Sequence, residues 1–211
     1  MTGDKMIFWL DELCREHSAL VGKKCANIGE LMKAGFRVPQ GFALALTAYE
    51  EFLETTGVRD KIRRHFAQFD ADPDNPEDLL RYVEAGKVIR GMVESEPMPR
   101  HIADNVLDYY DELCRKTGIK DVAVSTRSAG PASHPGQYET YLGVAGKSEV
   151  INHIIKVWSS TYNTRSLIAR ARKGLPLEYD PIGVGVCKMV NAKAAGVMFT
   201  ADPNTADSNR I

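Results

Sequence analysis

Two periods organise the chain. Residues 6–10, MIFWL, are a short apolar run that predicts a strand. KCANIGELMKA (24–34) carries Ala26, Ile28, Leu31 and Met32 at helical spacing, and Gly35 stands where such a helix stops. VPQGFALAL (38–46) predicts a turn and then a strand. In TAYEEFLETTG (47–57), Thr47 with Glu50 three residues on predicts a capping box, and Gly57 ends that helix. Residues 58–120 predict a helical section, interrupted by SEPMPR (95–100). One helix covers 58–69, a second starts at Pro76 and runs to 94, and a third covers 100–117. The third sets Ile102, Val106, Leu107, Tyr110 and Leu113 along one face and stops at Gly118. The polar run DADPDNPED (70–78) is a loop.

After residue 120 the period shortens toward two. DVAVSTR (121–127) and YETYLGV (138–144) predict strands on either side of SAGPASHPG. Ser148 can cap a helix reaching 160, and 163–173 predicts another. IGVGVCKMV (182–190) and AAGVMFTA (194–201) predict two strands of a hairpin joined at NAK. The expected fold class is α+β, a helical section on a mostly antiparallel sheet. Its expected parts are 1–57, the helical section 58–120, and a loop-and-hairpin part 121–211. DELCR occurs at 11–15 and 111–115, but the flanks differ and no repeat is inferred.

Composition narrows the function classes. With 211 residues and 44% hydrophobic content, a sizeable core can form. A net charge of −1 gives no basic surplus for nucleic acid. No apolar run approaches the roughly 18 residues that span a bilayer, and the N-terminus lacks the apolar core of a signal peptide. Cys14, Cys25, Cys114 and Cys187 are scattered with no CxxC pair, which argues against a zinc site or a disulfide framework. A cytoplasmic protein with free thiols is expected.

Three segments carry candidate chemistry. In VGKKCANIGELMKAGFRVPQGF (21–42), Lys23 and Lys24 stand where a loop enters a helix. A helix start and a lysine together suit a phosphate, although two solvated surface lysines have the same pattern. The spacing is not that of a Walker A loop. In VAVSTRSAGPASHPGQYETYLGV (122–144), Arg127 sits at a strand's exit, where its fork can hold two oxygens. Gly130 and Gly136 permit close backbone approach, and Ser128, Ser133 and Thr140 supply hydroxyls; an ordinary turn is the alternative. His134 has no second ligand at metal spacing and is taken as a loop histidine. In GVGVCKMVNAKAAGVMFTADP (183–203), apolar residues alternate with Cys187 or a lysine, as in a sheet lining a cleft or in a plain core hairpin. Neither GxSxG nor HExxH is present.

In this order, the three segments resemble the N-terminal nucleotide-binding region of the phosphoenolpyruvate synthase and pyruvate phosphate dikinase family. GKKCANIGELMKAGFRVPQGF resembles that family's G-G-K-G-A-N-L-G-E-L-x-x-A-G-x-x-V-P-x-G-F. STRSAGPASHPGQYETYL has dikinase-like loop spacing with a synthase-like GQ-x-ETYL end. VCKMVNAKAAGVMFTADP resembles V-Q-x-M-V followed by S-G-V-x-F-T-x-D-P. The likeness covers most of 15–57 and 121–211, and 58–120 carries none of it.

The resemblance implies the first part of an ATP-grasp-like domain that binds ATP with Mg²⁺. It places phosphate contacts on Lys24 and Arg127, which would stabilise charge in catalysis, with Gly136 and Thr140 closing over the phosphates. Two positions depart: Lys23 replaces the second glycine of GGK, and Cys187 replaces a glutamine beside the nucleotide. A thiol cannot donate and accept as an amide does, so affinity or base preference is expected to differ. The Mg²⁺ ligands and the second ATP-grasp half are expected beyond this chain. The phosphohistidine carrier is expected on another domain or subunit, so that His134 is not the chemical histidine. The chain then resembles a fragment, a short open reading frame or one subunit of a split enzyme, inactive alone and weak in ATP binding. The implied enzyme is a dikinase-type phosphotransferase, by default a phosphoenolpyruvate synthase or pyruvate phosphate dikinase. Phenol, glucan or antibiotic acceptors, or a non-catalytic nucleotide-binding or subunit-docking module, remain the alternatives.

Overall fold

The computed structural model describes residues 5–131 and 137–208, so Ser133, His134 and Gly136 lie outside the described residues. The period-two stretches form β1 (Ile7–Trp9), β2 (Gly41–Leu44), β3 (Val124–Ala129), β4 (Thr140–Val144) and β5 (Gly183–Lys188). They build one sheet in the order β1-β2-β5-β3-β4, every neighbouring pair antiparallel. The helices are α1 (Ser18–Val21), α2 (Lys23–Lys33), α3 (Leu46–Thr55), α4 (Val58–Phe66), α5 (Leu79–Glu94), α6 (Arg100–Thr117), α7 (Lys147–Ser159) and α8 (Thr164–Arg172). This mixture of helices with an antiparallel sheet is α+β, as expected.

Successive strand residues point to opposite faces, and the two faces are covered differently. Ile7, Phe42, Leu44, Val124, Val184 and Val186 are buried under the larger helical layer. There Trp158 of α7 packs against Tyr49 and Phe52 of α3, ring centroids 5.4 and 5.2 Å apart. The other face carries smaller residues. Ala43 and Ala129 are buried with Leu10, Leu13, Val21, Cys25 and Ala26, and Cys187 packs against that group. Small side chains let α2 lie close to the sheet, and this close layer holds the candidate site.

Helix boundaries follow the sequence except at several caps. Gly57 and Gly118 take left-handed conformations at the ends of α3 and α6. α3 begins earlier than expected, at Leu46 with Ala45 rather than Thr47 as its cap. Thr47 therefore makes no capping box; its hydroxyl is buried without a partner, and Glu50 instead accepts from the Tyr179 hydroxyl. α7 likewise starts at Lys147 after Gly146, so Ser148 is not its cap. On α2 the buried residues are Cys25, Ala26 and Gly29, whereas Leu31 of the expected face is exposed. The nearby sheet admits only small residues there.

The predicted hairpin after β5 does not form. β5 is paired with β2 on one edge and β3 on the other, so it has no edge for a following strand. The segment 194–201 forms no strand, and Val197, Met198 and Phe199 are 84%, 76% and 57% exposed. Among the described residues, no helix is long and apolar enough to cross a membrane.

Candidate functional site

The first two candidate motifs meet at one backbone hydrogen bond. Gly22 precedes α2 with φ +81°, and the Lys23 N–H donates to the Gly130 carbonyl at 3.0 Å. The start of α2 is thereby fastened to the exit of β3, more than 100 residues away in sequence. Only glycine fits this junction. A Cβ on Gly22 would stand 2.2 Å from the Ala129 carbonyl oxygen, and the positive φ disfavours any side chain.

Arg127 lies on the α2 face of β3, opposite Gly185 of β5 and opposite Thr140 of β4. Paired residues share a face, so Thr140 stands beside Arg127, exposed. The bare Gly185 makes room for two neighbours: its missing Cβ would lie 3.6 Å from the Arg127 Cγ and 3.0 Å from the Cys25 Sγ. Arg127 Nε is buried and makes no hydrogen bond. Among the described residues, neither Arg127 nor Lys24 pairs with a carboxylate. Lys24 is half-buried, and burial, then the positive charge of Arg127, holds its ammonium below the usual lysine range. Two neighbouring cations without a counter-charge repel each other. An anion between them would remove that repulsion and satisfy the idle donors.

Cys187 belongs to the same face, opposite Gly41 and Ser125. Burial raises its thiol and the positive charge of Arg127 partly offsets this, so Cys187 adjoins the charged site. Lys188 points with Val184 and Val186 to the other face, so cysteine and lysine do not share a side as the alternation predicts. One residue beyond Cys187, an open cleft of about 740 Å³ begins. Lys188, Met189, Arg37, Val38 and Lys116 are among its walls, which join apolar surface to three cations.

Of the hydroxyls proposed for the loop, Ser128 does not join the site. It is buried on the helical face, opposite Val184. Thr140 does join it, whereas Ser133 and Gly136 lie outside the described residues. Arg90 is not legible in the sequence, because α5 matches no motif. Its guanidinium donates to both Glu139 oxygens, at 2.8 and 3.1 Å. The Tyr141 hydroxyl donates to the same carboxylate, and the Glu139 N–H donates to Ser160 Oγ at 3.2 Å. The only sequence signal was the carboxylate inside ETYL. Alternation turns Glu139 and Tyr141 toward the helices and leaves Thr140 facing the cations. Asn163 Nδ2 adds a bond to the Gln137 carbonyl at 2.6 Å, so the loop's exit is held from the helical side.

Two distant motifs thus bring a pair of cations together on one face of an antiparallel sheet, and comparison gives the family. Residues 18–211 match the model of the pyruvate phosphate dikinase AMP/ATP-binding domain, and the chain belongs to that family. It is 37% identical to a probable phosphoenolpyruvate synthase of Staphylothermus marinus, over 98% of this chain and 25% of that protein. It is 34% identical to the phosphoenolpyruvate synthase of Aeropyrum pernix, over 98% of this chain and 26% of that protein. For a probable phosphoenolpyruvate synthase of Methanocaldococcus jannaschii the identity is 35%, over 95% of this chain and 17% of that protein. The chain spans about a quarter or less of the length of these curated relatives. It is a dikinase-family nucleotide-binding module.

Proposed function

We propose that Lys24 and Arg127 bind the phosphates of ATP, with Thr140 beside them and the Gly136 loop closing over the phosphates. The observation that carries this reading is the pair of adjacent cations with no carboxylate partner among the described residues. Each charged hydrogen bond to a phosphate oxygen would contribute about 1.5–3 kcal/mol. Cys187 would lie beside the nucleotide, and the cleft beyond it has apolar surface for a base.

The chain would then be the first part of an ATP-grasp-like domain in a dikinase-type phosphotransferase. In that enzyme ATP supplies the phosphoryl group, and a histidine on another domain or subunit receives it. Lys24 and Arg127 would neutralise charge on the transferring group, the main protein contribution in such reactions. The names of the relatives favour phosphoenolpyruvate synthesis over other acceptors. Among the described residues, no three His, Cys, Asp or Glu side chains cluster to hold a metal.

The test is an ATP titration of the ¹⁵N-labelled chain, which detects even millimolar binding by NMR. Shifts are expected at Gly22–Lys24 and Ser125–Gly130, and Arg127→Ala should abolish them. Shifts confined to other elements, or unchanged in Arg127→Ala, would overturn the reading. In a longer protein containing this chain, Arg127→Ala should also abolish ATP-dependent self-phosphorylation.

A further inference from the structure

Two of the four cysteines converge on the charged site although they are 162 residues apart. Cys25 lies in the first turn of α2, directly after Lys24, and is 1% exposed. Its Sγ occupies the space a Cβ on Gly185 would need, at 3.0 Å. Cys187 is two residues farther along β5 and on the same face. Alternate residues of a strand are roughly 6.6–6.8 Å apart. The Cys25 sulfur thus sits one side-chain position from Cys187, and both belong to the same small apolar group. Cys187 is the more accessible of the two, and all four thiols are free. Cys14 and Cys114 are elsewhere: Cys14 bonds His17, and Cys114 packs in the helical layer.

We infer that Cys25 and Cys187 are a redox pair whose disulfide disables the Lys24–Arg127 phosphate site. The regulatory half of this inference rests on the phosphate-binding reading above. The oxidant is a low-molecular-weight disulfide. The Cys187 thiolate attacks one of its sulfurs and displaces a thiolate, leaving a mixed disulfide on Cys187. The Cys25 thiolate then attacks the Cys187 sulfur and displaces the second thiolate. Two protein thiols lose two electrons and two protons; one small disulfide becomes two small thiols. Forming an S–S bond of ordinary geometry draws the first turn of α2 toward β5. Lys24 is the preceding residue, so its ammonium moves relative to Arg127 on the adjoining strand.

Chemistry sets the conditions. Burial, then the neighbouring Cys187, pushes the Cys25 thiol up to about 12, and burial also raises Cys187. Both are mostly thiols at neutral pH, so oxidation should accelerate as the medium becomes alkaline.

The experiment treats the chain with oxidised glutathione at pH 8.5 and maps disulfides by non-reducing peptide mass spectrometry. The ATP titration is then repeated on reduced and oxidised samples. A Cys25–Cys187 linkage is expected, together with at least tenfold weaker ATP binding that dithiothreitol restores. Cys25→Ala should bind ATP as the parent does when reduced and, after the same oxidation, should carry glutathione on Cys187 with no intramolecular linkage. Two results would overturn the inference: glutathione on separate cysteines without a 25–187 linkage, or a 25–187 linkage with unchanged ATP binding. If reduced chain shows no ATP response, the phosphate reading fails and the regulatory half falls with it. The peptide map still decides the redox pair independently.

Discussion

Arg90 on α5 and Glu139 at the entry to β4 form a two-pronged ion pair, with N–O distances of 2.8 and 3.1 Å. The pair joins the helical section to the strand that presents Thr140. Planar guanidinium and planar carboxylate match here, and Tyr141 adds a third donor to the same group. Burial disfavours the Arg90 charge, but Glu139 more than compensates, so the guanidinium is held above its usual range.

Arg90→Ala would leave Glu139 half-buried without its cation. A loss of about 1–2 kcal/mol is expected, since each partner is still roughly a third exposed. Arg90→Lys should recover only part, because an ammonium cannot fork. Urea denaturation of both variants checks this, with Arg90→Ala the less stable. If Arg90 acts by positioning Thr140, ATP-induced shifts at β4 should weaken in both variants while those at Gly22–Lys24 persist.

Gly22→Ala should both destabilise the chain and disturb the Lys24–Arg127 pair. The new Cβ would meet the Ala129 carbonyl at 2.2 Å in a conformation with φ +81°. A cost of about 1–3 kcal/mol is expected from the strained backbone alone. Thermal unfolding measures the stability term. Hydrogen exchange at the Lys23 amide reports the junction itself, which should open more readily in the variant.

Lys24 has a pH signature whose sign is fixed. Its folded-state pKa is depressed, by burial first and by Arg127 second. Below the folded value both states carry the charge, and the folded state bears the full repulsion. Between the folded value and 10.5 the unfolded state binds more protons, so this contribution to stability rises with pH. Lys24→Gln should therefore stabilise the chain at pH 7, with the gain shrinking toward pH 10.5. Tripolyphosphate should narrow the difference at pH 7 by neutralising the pair. Melting temperatures of parent and variant across pH 7–10 provide the check, and an unchanged difference would contradict the assigned repulsion.

Much of this protein is local, and local order is legible in sequence. The spacing of Ile102, Val106, Tyr110 and Leu113 determined α6, and all four are buried. Gly57 and Gly118 marked the ends of helices because left-handed termini favour glycine. Lys24, Arg127 and Thr140 could be singled out from residue type and motif. Caps were less legible: Thr47–Glu50 has the right letters, but α3 starts at Leu46 and Glu50 is engaged by Tyr179.

Pairing between distant segments belonged to the tertiary structure. The order β1-β2-β5-β3-β4 puts β5 in the middle, which denies 194–201 the edge a hairpin needs. Alternation within VGVCK cannot reveal this, because a central strand and a hairpin strand share the same period. The Lys23–Gly130 bond, the Arg90–Glu139 fork and the approach of Cys25 to Gly185 likewise join residues that no periodicity relates. Sequence determined which residues could carry charge and, in α6, which face each would occupy, because those depend on side-chain chemistry and local period. Only the packing of α2 on the sheet decided that Lys24 and Arg127 would be neighbours, because small residues let those backbones approach closely.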